Sequence, residues 1–210
     1  MAIERRSRGR PVVPDTVVLD SIVTAAQRLL SSGGAAAMTM EGVAFEAGIA
    51  KKTLYRFASG RADLIGLLVN SWIAPVFPSF EANPKDVAAA LERILREIAQ
   101  AVLSRDAVSL FRMLTSDADL RSRFLSTYNA NGIQRSRTEL ARWLDQQETA
   151  GRFELPIPAE RVADLLLSAT IAEPLRQITL GLLDPLPAWD IASRVSDTVR
   201  LLVPQPSRGR

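Results

Sequence analysis

The chain has 210 residues, 47% of them hydrophobic, enough for one large core or for a small domain beside a larger one. It contains neither cysteine nor histidine, which excludes disulfides, thiolate nucleophiles, histidine bases and the usual zinc ligand sets. The formal net charge is +3, and residues 1–66 hold the whole excess, with nine Lys/Arg against six Asp/Glu.

Residues 1–14 predict a flexible basic arm, with Arg5, Arg6, Arg8 and Arg10 ahead of Pro11 and Pro14. Such an arm is either a solvated tail or a segment that tracks phosphates or enters a minor groove, with Arg8 and Arg10 as its candidate contacts. The charged start is not followed by a long apolar core, so no signal peptide is read. The longest apolar stretch, 165–172, lies between Asp164 and Glu173 and falls far short of the roughly 20 residues of a membrane span.

A first helix is predicted over 15–32, where Leu19, Ile22, Val23, Ala26, Leu29 and Leu30 recur at helical spacing and Gly33-Gly34 ends the run. Thr39 can cap a second helix. The stretch 39–64, TMEGVAFEAGIAKKTLYRFASGRADL, then reads as a helix-turn-helix. Two short helices crossing steeply need a small residue where their backbones meet, and Ala44 supplies it. The turn between them needs φ > 0, and Gly48 adopts it at little cost. The second helix, over 50–57, needs an apolar anchor, Leu54. Its other face carries Lys51, Lys52, Thr53, Tyr55 and Arg56, types suited to phosphates and base edges in a major groove. A fourth helix starts near Gly60 and ends before Pro75.

Residues 75–84 (PVFPSFEANP) are punctuated by prolines and read as a domain boundary, with Phe77 and Phe80 packing on the larger body. Helices follow over about 20 residues after Pro84, then over 106–115, 119–128, 132–150, 159–183 with an interruption at Pro174, and 188–203. No alternating strand segment occurs, so the expected class is all-α. The expected organisation is a basic arm (1–14), a helix-turn-helix domain (15–74), a larger helical domain (75–203) and a disordered tail (204–210).

The motif resembles the DNA-binding domain of TetR-family transcriptional regulators, whose pattern is close to T-x-x-x-I-A-x-x-A-G-V-S-x-G-T-L-Y-x-H-F-x-S-K-x-x-L. Thr39, Val43, Ala44, Ala47, Gly48, Ile49, Thr53, Leu54, Tyr55, Arg56, Asp63 and Leu64 stand in its register. The resemblance covers about the first third of the chain, and the remainder is similar in size and helical pattern to the AefR-like branch. The chain departs from the pattern at Ala50, where a capping Ser is usual, and at Lys52, usually Gly or Ala. It departs again at Phe57-Ala58 for His-Phe, and at Gly60-Arg61 for Ser-Lys. The resemblance implies Lys51, Lys52, Thr53 and Arg56 near base edges or backbone, and Thr39, Tyr55 and Arg61 on phosphates.

The resemblance also implies a homodimer reading a palindromic double-stranded operator, which a two-fold axis placing two reading helices about 34 Å apart requires independently. Two strongly apolar helices are candidates for the dimer interface through Val162, Leu166, Thr170, Ile178, Ile191, Val195, Thr198, Val199 and Leu202. A plain core role fits the same residues. The family's larger domain often encloses a small-molecule pocket. The candidates here are Trp72, Phe77, Leu95, Ile98, Leu110, Phe111, Leu114, Phe124, Tyr128, Trp143, Ala169 and Glu173. The aromatic and aliphatic members suit ordinary core equally, and Glu173 suits a partner for Arg176 as well as a polar handle in a cavity.

The function expected is a sequence-specific transcriptional regulator, a repressor released from DNA by a small apolar or aromatic molecule. It needs no cofactor or metal, sits in a bacterial cytoplasm and has no membrane association. A DNA-binding dimer controlled by a protein partner instead of an effector is the alternative, favoured by a filled core. A helical enzyme is a remote one, because no carboxylate pair lies inside an apolar segment.

Overall fold

The computed structural model describes residues 13–202, so the basic arm with Arg8 and Arg10 and the tail 204–210 lie outside the described residues. Among the described residues all regular structure is helical. The long helix α1 (Asp15–Ala37) is broken at Gly34, whose φ of 63° is left-handed, so the pair of glycines does end the regular run. Helix α2 (Met40–Glu46) is capped by Thr39, whose Oγ1 accepts the Gly42 N–H at 2.9 Å. Gly48, at φ 66°, turns the chain into α3 (Lys51–Leu54), and the Ile49 N–H returns to the Ala44 carbonyl at 3.0 Å. The regular part of α3 is shorter than the expected 50–57 because i→i+3 bonds from Arg56 to Thr53 and from Phe57 to Leu54 tighten its last turn.

Helix α4 (Arg61–Ile73) follows. Gly60 offers no side-chain cap, but Asp63 reaches back to accept both the N–H and the hydroxyl of Ser59, at 2.8 and 2.6 Å. Those two bonds hold the Asp63 carboxyl below its ordinary value. The missing Ser-Lys cap is thereby replaced from inside the helix.

Residues 75–84 are a fastened strap. A 3-10 turn (Ala74–Ser79) is followed by backbone carbonyls that accept from the larger domain. Trp143 Nε1 donates to the Glu81 carbonyl at 2.8 Å, Gln147 to that of Ala82 at 3.3 Å, and Arg152 to the Asn83 side chain at 2.6 Å. The Arg135 guanidinium lies 4.3 Å over the Phe77 ring, and Phe80 packs on the core.

The larger domain contains α5 (Val87–Val102), α6 (Arg105–Ser116), α7 (Ala118–Tyr128), α8 (Arg135–Thr149), α9 (Ala159–Leu167), α10 (Glu173–Thr179) and α11 (Ala192–Leu202). Helix α5 is central, with Leu91, Ile94, Leu95 and Ile98 fully buried against α8, α9 and α11. Two π-helical segments depart from the sequence reading. Asn129–Gln134 joins α7 to α8 without a break, and Ser168–Ala172 joins α9 to α10. The second has a local cause. Pro174 lacks the N–H that would bond the Thr170 carbonyl, so the perturbation sits in the turn before the proline.

The core divides into two clusters. One joins α1–α4 to Leu110, Leu114, Phe124 and Tyr128 of α6 and α7, and the other holds α5 and α8–α11. Helices α6 and α7 therefore share a core with the first four.

Candidate DNA-binding surface and ligand cavity

The polar face of α3 is displayed as its spacing requires. Leu54 is fully buried on α1 and α2, while Lys51, Lys52, Tyr55 and Arg56 are exposed and Thr53 is half-buried. Sequence reasoning missed how two of these cations are held. Lys51 Nζ sits 3.0 Å from Glu41 Oε1 on α2, and this bond holds the Glu41 carboxyl below its ordinary value. Arg56 Nη2 sits 2.9 Å from Asp15 Oδ1 at the start of α1, with its guanidinium 5.4 Å over the Phe57 ring. All four side chains are more than half exposed, and such pairs are weak and easily exchanged for phosphates. Lys52 enters no ion pair among the described residues.

Thr39 spends its oxygen on the α2 cap. Arg61 is half-buried, with its guanidinium 5.4 Å over the Phe124 ring of α7. It therefore braces the two domains, contrary to its expected place on a phosphate.

A cavity of about 160 Å³ lies inside the larger domain. Its walls are Val69, Trp72 and Ile73 of α4, Ile98, Ala101 and Val102 of α5, Ala107 and Phe111 of α6, Tyr128 of α7, and residues of α8 and α9. Both π segments contribute, Gly132 and Ile133 from one, Ser168, Ile171 and Ala172 from the other. Ile133, Ser168 and Ala172 are exposed, so the cavity opens to solvent between the two π segments. Beside that mouth Arg137 Nη2 meets Asp164 Oδ1 at 2.6 Å, both half-exposed.

Of the expected pocket residues, Trp72, Ile98, Phe111 and Tyr128 line this cavity. Leu95 and Trp143 sit in the larger core, and Leu110, Leu114 and Phe124 in the core shared with the first four helices. Phe77 stacks under Arg135 in the strap. Neither Ala169 nor Glu173 reaches the cavity. Ala169 instead gives its carbonyl to Arg194 Nε at 2.8 Å. Glu173 takes Arg176 in a bidentate pair at 2.7 and 2.8 Å and Gln177 at 2.8 Å, which pulls its carboxyl down to about 2.

The sequence also gave no sign of the polar atoms in these walls. Trp72 Nε1, Ser136 Oγ and Arg137 Nε are all buried without a hydrogen-bond partner. Leaving a buried donor unpaired costs about 1–3 kcal/mol, so three around one cavity are a costly concentration. The Tyr128 phenol is pushed up to about 12 by burial and is neutral at all ordinary pH.

The expected interface residues take a different place. Val162, Leu166, Thr170, Ile178, Ile191, Val195, Thr198 and Val199 are each at most 8% exposed within the single protomer. They are its own core and cannot face a partner; the side chain of Leu202 lies outside the described set. The outward faces of the same helices carry Leu165, 45% exposed, and Leu201, 84% exposed.

Two features tie the cavity to the DNA-binding helices. Helix α6 supplies Ala107 and Phe111 to the cavity, and its neighbouring Asp106 accepts from Ser31 of α1 at 2.7 Å and from Gln27 at 3.5 Å. Helix α4 approaches the α7–π segment where only glycine fits comfortably. A Cβ on Gly66 would lie 3.0 Å from Thr127 Cγ2, and one on Gly132 3.0 Å from Val69 Cγ1.

Residues 22–67 match the family model of bacterial regulatory proteins of the tetR family, and residues 89–203 match that of the C-terminal domain of AefR-like transcriptional repressors. The fold is similar to that of a TetR-family transcriptional regulator from Mesorhizobium loti, at TM-score 0.71 and 17% identity, over 90% of this chain and 96% of that one. It is also similar to the flavonoid-responsive regulator FrrA, at TM-score 0.62 and 20% identity, over 90% and 98% of the two chains. The Thermus thermophilus repressor FadR, solved in complex with lauroyl-CoA, matches at TM-score 0.59 and 15% identity, over 91% and 99%. No curated protein matches the chain.

Proposed function

The chain belongs to the TetR family of transcriptional regulators, and from that premise we propose that it is a homodimeric repressor released from a palindromic operator by a small, largely apolar effector. The observation that carries this reading is the cavity, because α4 and α6 form its walls and also contact or lead into the DNA-binding helices. A filled core would have favoured control by a protein partner. FrrA responds to flavonoids and FadR was solved with lauroyl-CoA, and both support a small-molecule mode in this fold.

In this reading Lys51, Lys52, Thr53 and Arg56 meet base edges or backbone, with Thr39 and Tyr55 on phosphates. On binding DNA, Lys51 and Arg56 exchange Glu41 and Asp15 for the duplex. An effector in the cavity acts only through its different affinity for the DNA-bound and released states. The dimer forms through the outward faces of α9 and α11, since their inward faces are spent on the protomer core.

The test is binding of the dimer to a fluorescent duplex taken from just upstream of its own gene, against random duplex, across salt. Sequence-dependent nanomolar binding with a steep salt slope supports the reading. A screen for compounds that release that duplex then tests the effector, and release by a compound that also binds a cavity-filled variant would count against the cavity.

A further inference from the structure

The chemistry of the cavity walls narrows the class of molecule that fits, on the premise that this cavity is the effector site. Its size is comparable to the apolar cavity of about 150 Å³ that holds benzene in an engineered protein. A single ring or a short branched chain therefore fits without moving a wall. Most of the lining is aliphatic or aromatic, with Val69, Ile73, Ile98, Phe111, Ile171 and Leu175 among it.

The unpartnered polar atoms all offer hydrogens. An indole Nε1 and a guanidinium Nε are donors only, and the Ser136 hydroxyl, on a residue 5% exposed, can donate. Trp72 stands apart from the other two tryptophans, since Trp143 and Trp189 donate to the Glu81 and Asp184 carbonyls, each at 2.8 Å. A ligand meeting these groups must bring acceptors. It need not bring charge, because the Arg137 guanidinium already holds Asp164. A carboxylate would leave two negative groups on one cation in an apolar chamber, which is unfavourable.

We propose that the cavity takes a compact, uncharged molecule with an apolar body and a carbonyl-type acceptor, of about the size of one substituted ring, its oxygen held by donors from Trp72, Ser136 and Arg137.

The experiment uses the ¹⁵N-labelled full-length dimer and three probes of similar size, namely acetophenone, benzoate and ethylbenzene. The three indole N–H resonances are followed during titration and assigned with Trp72→Phe, which keeps an aromatic ring and removes the donor. Acetophenone is expected to move the Trp72 resonance downfield, leave those of Trp143 and Trp189 in place, and bind at least tenfold more tightly than either other probe. In Trp72→Phe its affinity should fall to that of ethylbenzene, whose own affinity stays unchanged and reports an intact cavity. If ethylbenzene binds as well as acetophenone, the acceptor requirement is wrong while the cavity remains a ligand site. Tightest binding by benzoate overturns the absence of charge. If no probe perturbs a cavity resonance, the cavity is not a ligand site, and the proposal falls with the reading beneath it.

Discussion

Filling the cavity separates a binding site from a packing defect. Ala107 lines it from α6 and is 6% exposed, so Ala107→Leu places three further carbons into existing space. At about 0.8 kcal/mol per buried CH₂ the gain is roughly 2.4 kcal/mol. Ordering the leucine side chain costs about 0.5–1 kcal/mol, leaving about 1.5 kcal/mol of added stability. For a chain of this length each kcal/mol raises Tm by about 2–4 °C, so the variant should melt about 3–6 °C higher. Differential scanning calorimetry measures this directly, and the same preparation should bind operator as tightly as wild type and lose acetophenone binding. A lower Tm would mean that the leucine overpacks a wall and that the space is not available as drawn. A higher Tm with ligand response intact would place the ligand elsewhere and refute the reasoning.

The DNA-facing cations give a second test. Lys51→Ala with Arg56→Ala removes four cations from a dimer, and at about 0.9 per phosphate contact the slope of log affinity against log salt should fall by about 3–4. Conversely, Asp15→Asn with Glu41→Gln should tighten binding and steepen the slope, since the carboxylates that compete for these cations are gone. At the dimer, Leu165→Glu with Leu201→Glu should yield folded monomers in analytical ultracentrifugation, because both side chains are exposed in the protomer. Asp106→Ala removes the acceptor of Ser31 and Gln27, and hydrogen exchange along α1 should quicken while exchange in α5 is unchanged. The Glu173 carboxyl titrates near 2 in the fold against an ordinary value of 4.5. A depressed value means that its stabilisation is full above about 4.5 and lost as pH falls towards 2. The stability difference between wild type and Glu173→Gln, from urea midpoints, should therefore shrink between pH 5 and 2.

The helix-turn-helix was legible because its constraints are local. A crossing needs Ala44, a left-handed turn needs Gly48, and a cap needs Thr39, so each residue type announces its position. The cavity was not, because Trp72 and Phe111 carry no mark that Trp143 and Phe124 lack; what separates wall from core is the neighbour each happens to miss. The π segments were hidden for a related reason. Pro174 signals a break at its own position, whereas the lost bond belongs to the carbonyl of Thr170 one turn earlier. The interface reading failed on burial. Apolar residues on α9 and α11 looked excessive for a free surface, yet they are consumed inside the protomer against α5 and α8. Ser136, Arg137 and Asp164 are ordinary helix-surface types, and only the fold turns them towards one chamber.

The arrangement of α4 shows why a ligand here can reach DNA. Its first half is locked into the helix-turn-helix core through Leu64, Ile65 and Leu68, all at most 1% exposed, so it moves with that domain. Its second half presents Val69 and Trp72 to the cavity. Between them Gly66 meets Thr127 and Asn131 closely enough to act as a fulcrum. At 1.5 Å rise per residue, Trp72 lies about 9 Å beyond that point and Arg61 about 7.5 Å before it. The opposite wall, α5, is fixed by Leu91, Ile94, Leu95 and Ile98 in the larger core. A ligand that needs more room than the apo cavity offers therefore displaces the α4 wall before the α5 wall. A shift at Trp72 then returns at the helix-turn-helix end with opposite direction and similar size. In a two-fold dimer the displacement acts on both reading helices at once, and their separation is the quantity an operator measures.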